Sequence, residues 1–217
     1  MQQLATGDSL REVLSELALG VQANYHGASV SILGVSPDRK TLEHLAAPSL
    51  PEKFSQQVHR LPIGPEVGAC GSAAALGQRV IIPDVNLDPL MRGFEPLAKE
   101  TGVRSVWSQP IRGEQGEVLG TLAVYRFQVH TPSYEEINLI VLAANLAALA
   151  IENRRRIDSL LRSETRFREL AEKARLVPWE AELNDDRYTY VGPQAEEIFG
   201  YPIADWYVPG FWHRLVH

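Results

Sequence analysis

One segment of this sequence limits the possible folds more than any other. From Ser133 to about Arg175, a helical pattern runs without a glycine or a proline. Thr131 or Ser133 can cap its start, and two glutamates in the first turn complement the helix dipole. At about 1.5 Å per residue, this helix is far longer than a single domain needs. It is typical of a lever or a dimer stalk.

Residues along this segment recur at alternating steps of four and three, which is the period of a coiled-coil seam. The polar members Asn153 and Glu164 would hold the seam below maximal stability, as suits a switch. A terminal helix followed by a separate linker helix is the alternative, but the pattern continues through the arginines at 154–156. The seam comprises Leu139, Ala143, Leu146, Ala150, Asn153, Ile157, Leu160, Glu164, Phe167, Ala171 and Ala174, and our candidates for its dimer contacts are Leu139, Leu146, Asn153, Ile157, Leu160 and Phe167.

Helices and strands alternate upstream of the long helix. Residues 10–25 predict an amphipathic helix, and the small residues at 68–76 predict a helix that packs closely on a sheet. Two further short helices are expected at 51–59 and 91–101, the second ended by Gly102. Period-two runs and short apolar runs bounded by turn residues predict strands at 26–35, 41–47, 79–84, 103–112 and 117–127.

A new pattern begins after Pro178. Two alternating runs, at 179–183 and 188–191, predict a hairpin, and residues 193–199 predict a short helix ended by Gly200. About 40 residues cannot bury enough apolar surface to fold alone. We therefore expect the native protein to continue beyond this segment.

Several stretches resemble segments that recur in GAF domains of bacterial signalling proteins. They are LPIGPEVGACGSAA at 61–74, DVNLDPL at 84–90, WSQPI at 107–111 and GTLAVY at 120–125. The tail resembles the start of a PAS domain, through SETRFRELA at 163–171, Trp179-Glu180, IFGY at 198–201 and FWHRLVH at 211–217. Together the GAF-like stretches cover most of the chain from Leu10 to Arg155.

The resemblance implies three regions: a GAF-like sensory domain at 1–152, a signalling helix at 153–175 and an incomplete PAS-like start at 176–217. It implies an α+β fold, with an antiparallel sheet of five or six strands, helices packed on one side, and an extended C-terminal coiled-coil helix. Such tandems occur in sensor histidine kinases and cyclic-di-nucleotide signalling proteins. None of the catalytic segments of those proteins is present in the sequence, so the implied role is sensory input rather than catalysis.

A ligand pocket in such a domain would be mostly apolar with a few convergent polar groups. The alternative, which we weigh equally, is a collapsed pocket whose residues are simply core. On the template of the GAF resemblance, the candidate lining residues are Val67, Ala69, Cys70, Ser72, Phe94, Leu97, Trp107 and Ser108.

Cys70 is the single cysteine of the chain. A thiol at a helix start can be reactive, but a small buried apolar residue is the more frequent reading. Some GAF domains reduce free methionine sulfoxide, a reaction that needs a second thiol to resolve the sulfenic acid. The chain offers none, so this enzyme reading is disfavoured and we expect no catalytic activity.

No cofactor or metal site is identified from the sequence. Only His213 and His217 have the spacing of a helical metal pair, and they more plausibly belong to the PAS-like sequence. A haem bound by a single histidine and a bound cyclic nucleotide are open alternatives, but no residue pattern in the sequence supports either one. We do not identify in this sequence the residues that mark bilin attachment or cyclic-nucleotide binding in other GAF domains.

The formal net charge of −6 argues against nucleic acid or an anionic membrane surface as a partner. From the sequence, we expect no segment to approach the roughly 18 uncharged apolar residues of a membrane span. We expect a cytoplasmic module that forms a parallel homodimer, binds a small molecule and makes no membrane contact within this segment. The first alternative is a ligand-free GAF domain that serves only to dimerise.

Overall fold

The computed structural model describes residues 3–25, 27–51, 54, 58–173, 176–182 and 187–215. They form two compact units, Met1–Arg155 and Arg156–His217. Most of the helix expected at 51–59, the hairpin turn expected around 184–186, and His217 of the histidine pair lie outside the described residues.

The first unit combines helices with a six-stranded sheet. Its strands are β1 (Ala28–Val35), β2 (Thr41–Ala46), β3 (Leu61–Pro62), β4 (Val80–Ile82), β5 (Ser105–Arg112) and β6 (Val118–Arg126). Its helices are α1 (Gln3–Ala23), α2 (Gly68–Leu76), α3 (Glu95–Thr101) and the start of α4 (Tyr134–Lys173), with a 3-10 turn at Pro89–Met91.

All neighbouring strands pair antiparallel, in the order β3-β2-β1-β6-β5-β4. The two central strands, β1 and β6, are the first and the last strand of the unit in sequence. Val30 lies opposite Val124, and Ile32 lies opposite Leu122. The expected α+β fold, with an antiparallel sheet of five or six strands and a long C-terminal helix, is confirmed, and the sheet has six strands. The coiled coil stays a prediction. The two-residue strand β3 was not anticipated, because its proline and the following glycine indicate a turn.

Helices pack on both faces of the sheet, which corrects the expectation of one covered side. On the first face, Ile32 shares a core with Leu14 of α1 and Ile140 of α4. On the second face, Leu33 shares a core with Ala69 of α2. Successive strand residues point to opposite faces, so the central strands are buried on both sides and are not half-buried.

The small residues of α2 are explained by close packing. A Cβ atom built on Gly71 would lie 2.6 Å from the Pro62 carbonyl oxygen and 2.8 Å from the Val67 Cβ. Helix α2 ends at Gly77, which adopts the left-handed conformation that favours glycine. The helix therefore reaches the second face of the sheet at a distance that larger side chains would forbid.

The inner face of α4 is part of the core on the first face of the sheet. Its fully or nearly buried residues are Ile140, Ala143, Ala144, Ala147, Ala148 and Ile151. Among the described residues, α4 is long and apolar enough to cross a membrane by length and composition alone. This corrects the view that no segment approaches that size. The core helix of a soluble protein meets the same criterion, so the finding is weak on its own.

The second unit contains a two-stranded antiparallel sheet of β7 (Trp179–Glu182) and β8 (Arg187–Val191). It continues with α5 (Gln194–Phe199), a 3-10 turn at Ile203–Tyr207 and α6 (Phe211–Leu215). A small core forms around Val191, Ala195 and Trp206. The hairpin and the helix ended by Gly200 match the sequence expectation, whereas the resemblance to a PAS domain and the three regional boundaries stay predictions.

Candidate functional site

An apolar cavity lies between the second face of the sheet and helices α2 and α3. Its volume is about 50 Å³. No charged side chain is among the described residues that line it. They are Leu33, Phe54, Val58, Leu61, Gly68, Ala69, Cys70, Met91, Phe94, Leu97, Ala98, Val103, Val106 and Tyr125.

Four of the eight residues proposed from the sequence line this cavity: Ala69 and Cys70 from α2, and Phe94 and Leu97 from the segment that carries α3. Val67 precedes α2 and packs against the same core without lining the cavity. The structure thus brings the small-residue helix and the short helix after the 3-10 turn together over one space.

Three other proposed residues lie elsewhere. Trp107 is fully buried in the core on the first face, where its ring meets Tyr25 edge-on at 6.1 Å between centroids. Adjacent strand residues alternate between faces, so Trp107 and Val106 cannot both reach the cavity. Ser108 is buried but not in the lining, and the Ser72 hydroxyl donates to the Pro65 carbonyl oxygen at 2.9 Å.

Tyr125 is the polar residue of the cavity that the sequence reasoning missed. Its hydroxyl lies 3.0 Å from the Ser31 Oγ and 3.8 Å from the Cys70 Sγ. The Phe54 ring packs edge-on against it at 5.1 Å between centroids. The signal was present, because the apolar alternation of β6 places residue 125 on the same face as Ala123.

Buried hydroxyls surround the thiol. Ser108 and Thr121 are fully buried beside the Cys70 thiol, and neither hydroxyl has a partner at ordinary hydrogen-bond distance and angle in the described part of the chain. Burial raises the pKa of the Cys70 thiol, and the hydroxyls of Ser108, Tyr125 and Thr121 offset only part of that rise. The thiol is therefore protonated and neutral at neutral pH, and it is a poor nucleophile.

A second polar cluster holds the first turn of α4. The Glu136 carboxylate accepts from the Arg126 guanidinium at 2.5 Å and contacts the His130 Nε2 at 2.8 Å. It also accepts from the Ser133 backbone amide at 2.7 Å. The Tyr25 hydroxyl donates to the Glu136 backbone carbonyl oxygen. The cluster connects the start of α4 to Tyr25, which follows α1, and to Arg126 at the end of β6.

The outward face of α4 carries an exposed leucine stripe, defined as Leu142, Leu146 and Leu149. Their side chains are 57%, 47% and 53% exposed. Within the first unit, the structure contradicts one member of the predicted seam. Ala143, which the seam included, is buried against the sheet and cannot meet a partner helix. Leu146 belongs both to the predicted seam and to the stripe, whereas Leu142 and Leu149 take the places of Ala143 and Ala150.

The other stalk candidates differ in exposure. Leu139 is half-buried against the core of the first unit. Asn153 is exposed. Ile157, Leu160 and Phe167 are 51%, 71% and 63% exposed. Whether they form a seam stays a prediction. Among the described residues, no three histidine, cysteine, aspartate or glutamate side chains come together as a metal site would need.

The chain has a relative among proteins of known description. It is 32% identical over 168 residues to the "Methyl sulfide methyltransferase-associated sensor" of Methanosarcina acetivorans. The matched region is 77% of this chain and 17% of the relative. The chain therefore spans less than a fifth of the length of that protein.

Two solved structures share the fold. A domain of a two-component sensor histidine kinase protein from Sinorhizobium meliloti is 19% identical, with a TM-score of 0.56, and the match covers 66% of this chain and 91% of that chain. Type II free methionine-R-sulfoxide reductase from Thermoplasma acidophilum is 17% identical, with a TM-score of 0.56 and coverage of 68% and 96%. At these identities, the likeness concerns the fold alone.

The family comparison covers the first unit almost completely. The family model described as a GAF domain matches residues 7–152, which contain the whole six-stranded sheet, the cavity and the start of α4. On this match, the chain belongs to the GAF domain family.

Proposed function

We propose that this chain is a sensory and dimerisation module of a cytoplasmic signalling protein. A small molecule in the cavity would change the packing of the sheet, and α4 would transmit that change. The observation that carries the proposal is a pair of neighbours on β6. Tyr125 lines the cavity on the second face, while Arg126 holds the start of α4 through Glu136. One strand thus contacts both the cavity and the output helix.

Family membership and the sensor-named relative support an input role. The S. meliloti domain, which comes from a sensor histidine kinase protein, has the same fold. We propose that the continuation of α4 acts as a signalling helix and that residues 176–217 begin a PAS-like domain. In this proposal, any catalytic output belongs to other parts of the signalling protein.

The leucine stripe is the proposed dimer contact in the first unit. Three leucines that are about half exposed, on one helix face at steps of four and three, form a seam suited to a second copy of the same helix. A parallel pair would continue the seam through Asn153, Leu160 and Phe167, which follow Leu146 at steps of seven. A polar Asn at such a position fixes the register of the pair.

Native mass spectrometry of the chain, purified in its folded state without a refolding step, tests the proposal. We expect a dimer, and a dimer with an added small mass would identify the class of cue. A Leu146→Glu variant should shift the protein to monomer, whereas the control Leu87→Glu, at a side chain 82% exposed outside α4, should stay dimeric. A wild-type monomer would overturn dimerisation through this helix.

Two alternatives make different predictions. A ligand-free structural GAF domain would dimerise but would show no saturable binding in the cavity. A reductase like the Thermoplasma acidophilum protein would turn over free methionine sulfoxide, and Cys70→Ser would abolish that turnover. The single cysteine and its neutral thiol disfavour the second alternative.

A further inference from the structure

We infer that the cavity binds a small neutral molecule of about three to five non-hydrogen atoms, largely apolar with one hydrogen-bonding group, and that it rejects anions. This inference rests on the proposed function, because it names the ligand class of the same cavity. It separates this domain from any member of its fold that would hold a nucleotide or a carboxylate in the same place.

The size of the cavity sets the first limit. One water molecule requires about 10–15 Å³ of space measured in this way. The volume of about 50 Å³ therefore accommodates only a few atoms. Gly68 and Ala69 of α2, and Phe94 and Leu97 of the segment that carries α3, are among the residues that bound this volume.

The charge of the surroundings sets the second limit. The described lining residues carry no cation, so a buried anion would lose its hydration without gaining a counter-ion. The two arginines adjacent in sequence to the lining residues Tyr125 and Val103 are paired with carboxylates: Arg126 with Glu136, and Arg104 with Asp84 at 3.1 Å. The neutral form of the Cys70 thiol adds no charge either.

The polar groups set the third limit. The Tyr125 hydroxyl bridges Ser31 and Cys70, so it has one proton to donate and lone pairs that can accept. Ser108 and Thr121 lie beside the same thiol but outside the cavity lining, and their neutral hydroxyls add no charge to its surroundings. The Tyr125 hydroxyl suits a carbonyl, hydroxyl or ether oxygen of the ligand, and it would add a hydrogen bond without a charge. We therefore assign the ligand a single neutral polar group directed toward Tyr125.

A matched pair of probes tests this assignment. Butan-2-one and propanoate have the same number of non-hydrogen atoms and nearly the same shape, and they differ in charge. Each is titrated into the isotope-labelled chain, and backbone amide shifts are followed by nuclear magnetic resonance. We expect butan-2-one to shift the signals of residues 68–74 and 94–98 saturably, with at least tenfold higher affinity than propanoate.

Two variants locate the binding. Ala69→Leu fills the cavity and should abolish the butan-2-one shifts, while the control Ala204→Leu, at an exposed position of the second unit, should leave them unchanged. Tyr125→Phe keeps the ring and removes the hydroxyl, so it should weaken butan-2-one about five- to tenfold. The dispersion of the amide spectrum shows whether each variant is folded.

The outcomes separate the ligand class from the sensory role. Equal or tighter propanoate binding at the same residues would overturn the neutral class and leave a ligand-binding cavity. Binding of neither probe to the wild-type chain would count against both the class and the sensory pocket. Unchanged butan-2-one binding in a folded Ala69→Leu variant would place the probe outside the cavity and overturn the assignment. Unchanged binding in Tyr125→Phe would show that the ligand's polar group is not directed toward Tyr125.

Discussion

The side-chain hydroxyl of Tyr25 donates a hydrogen bond to the backbone carbonyl oxygen of Glu136, across 111 residues of sequence. Tyr25 follows α1, and Glu136 lies in the first turn of α4. The Arg126 guanidinium lies 5.8 Å from the centre of the Tyr25 ring and pairs with the Glu136 carboxylate. The two helices on the first face of the sheet are thus joined through one residue.

Titration of Tyr25 should weaken the fold at high pH. Burial, followed by the charge of Glu136, raises the pKa of Tyr25 from 10.0 to about 12. The neutral phenol therefore stabilises the folded state fully below pH 10, and this contribution is lost as the pH rises toward 12. Tyr25→Phe should cost about 1–2 kcal/mol at pH 7 and remove this part of the alkaline loss.

Urea unfolding at pH 7, about 10 and about 11.5 measures the effect. Tyr134→Phe is the matched control, because the Tyr134 side chain is 75% exposed. If Tyr25→Phe and wild type lose stability in parallel above pH 10, the phenol does not carry the alkaline sensitivity.

Glu136 should make the domain sensitive to acid. Burial alone would raise the pKa of Glu136, but the Ser133 amide, His130 and Arg126 together hold it below its usual value. A lowered pKa means that the carboxylate stabilises the fold above the unfolded pKa of about 4.3 and loses this effect as the pH falls through the folded value. Glu136→Gln should cost roughly 2 kcal/mol at pH 7.

Thermal or urea unfolding between pH 7 and 3 compares this variant with Glu135→Gln. The Glu135 side chain is fully exposed to solvent, so its loss should change stability little. A Glu136→Gln variant that keeps the full acid-dependent loss of wild type would show that other carboxylates cause it.

A matched pair of glycine substitutions tests the packing of α2. Gly71→Ala places a methyl group 2.6 Å from the Pro62 carbonyl oxygen and should destabilise the unit by about 1–3 kcal/mol. Gly20→Ala in α1 meets no atom within 4 Å and should stabilise it by about 0.5–1 kcal/mol through helix propensity. Equal effects in urea unfolding would contradict the close approach of α2 to the sheet.

The Cys70 thiol should resist alkylation in the native protein. Because it is buried and its pKa is raised, both access and thiolate fraction are low. We expect iodoacetamide at pH 7.5 to label it at least a hundredfold more slowly than in the urea-unfolded chain, as followed by intact mass. Native labelling at the unfolded rate would revive the reading of Cys70 as a reactive site.

The elements with strong local signals were predictable from the sequence. The hairpin of β5 and β6, the small-residue helix and the long α4 all appear where the pattern places them. The sequence did not predict that helices cover both faces of the sheet. Polar residues on a strand, such as Ser31 and Thr121, are usually assigned to positions that face solvent. Here both side chains are fully buried, a fact that depends on tertiary packing.

The cavity was predictable only in part. Sequence resemblance located Ala69 and Cys70 because the small-residue motif is local. Trp107 was misplaced because its face depends on strand register, and a shift of one residue reverses every side chain. The alternation of β6 places Tyr125 on the face of Ala123, but its hydrogen bond to Ser31, 94 residues away in sequence, depends on tertiary packing.

The four alanines at 143, 144, 147 and 148 give α4 shallow ridges where it lies on the sheet. Ridges of long side chains interlock two surfaces, whereas methyl groups leave grooves that are nearly smooth along the helix axis. An axial displacement of α4 by a fraction of a turn then displaces bulky groups mainly at the two ends of the contact, at Ile140 and Ile151. The contacts of Glu136 with Arg126, His130 and Ser133 would then be the main resistance to movement of α4 along its axis.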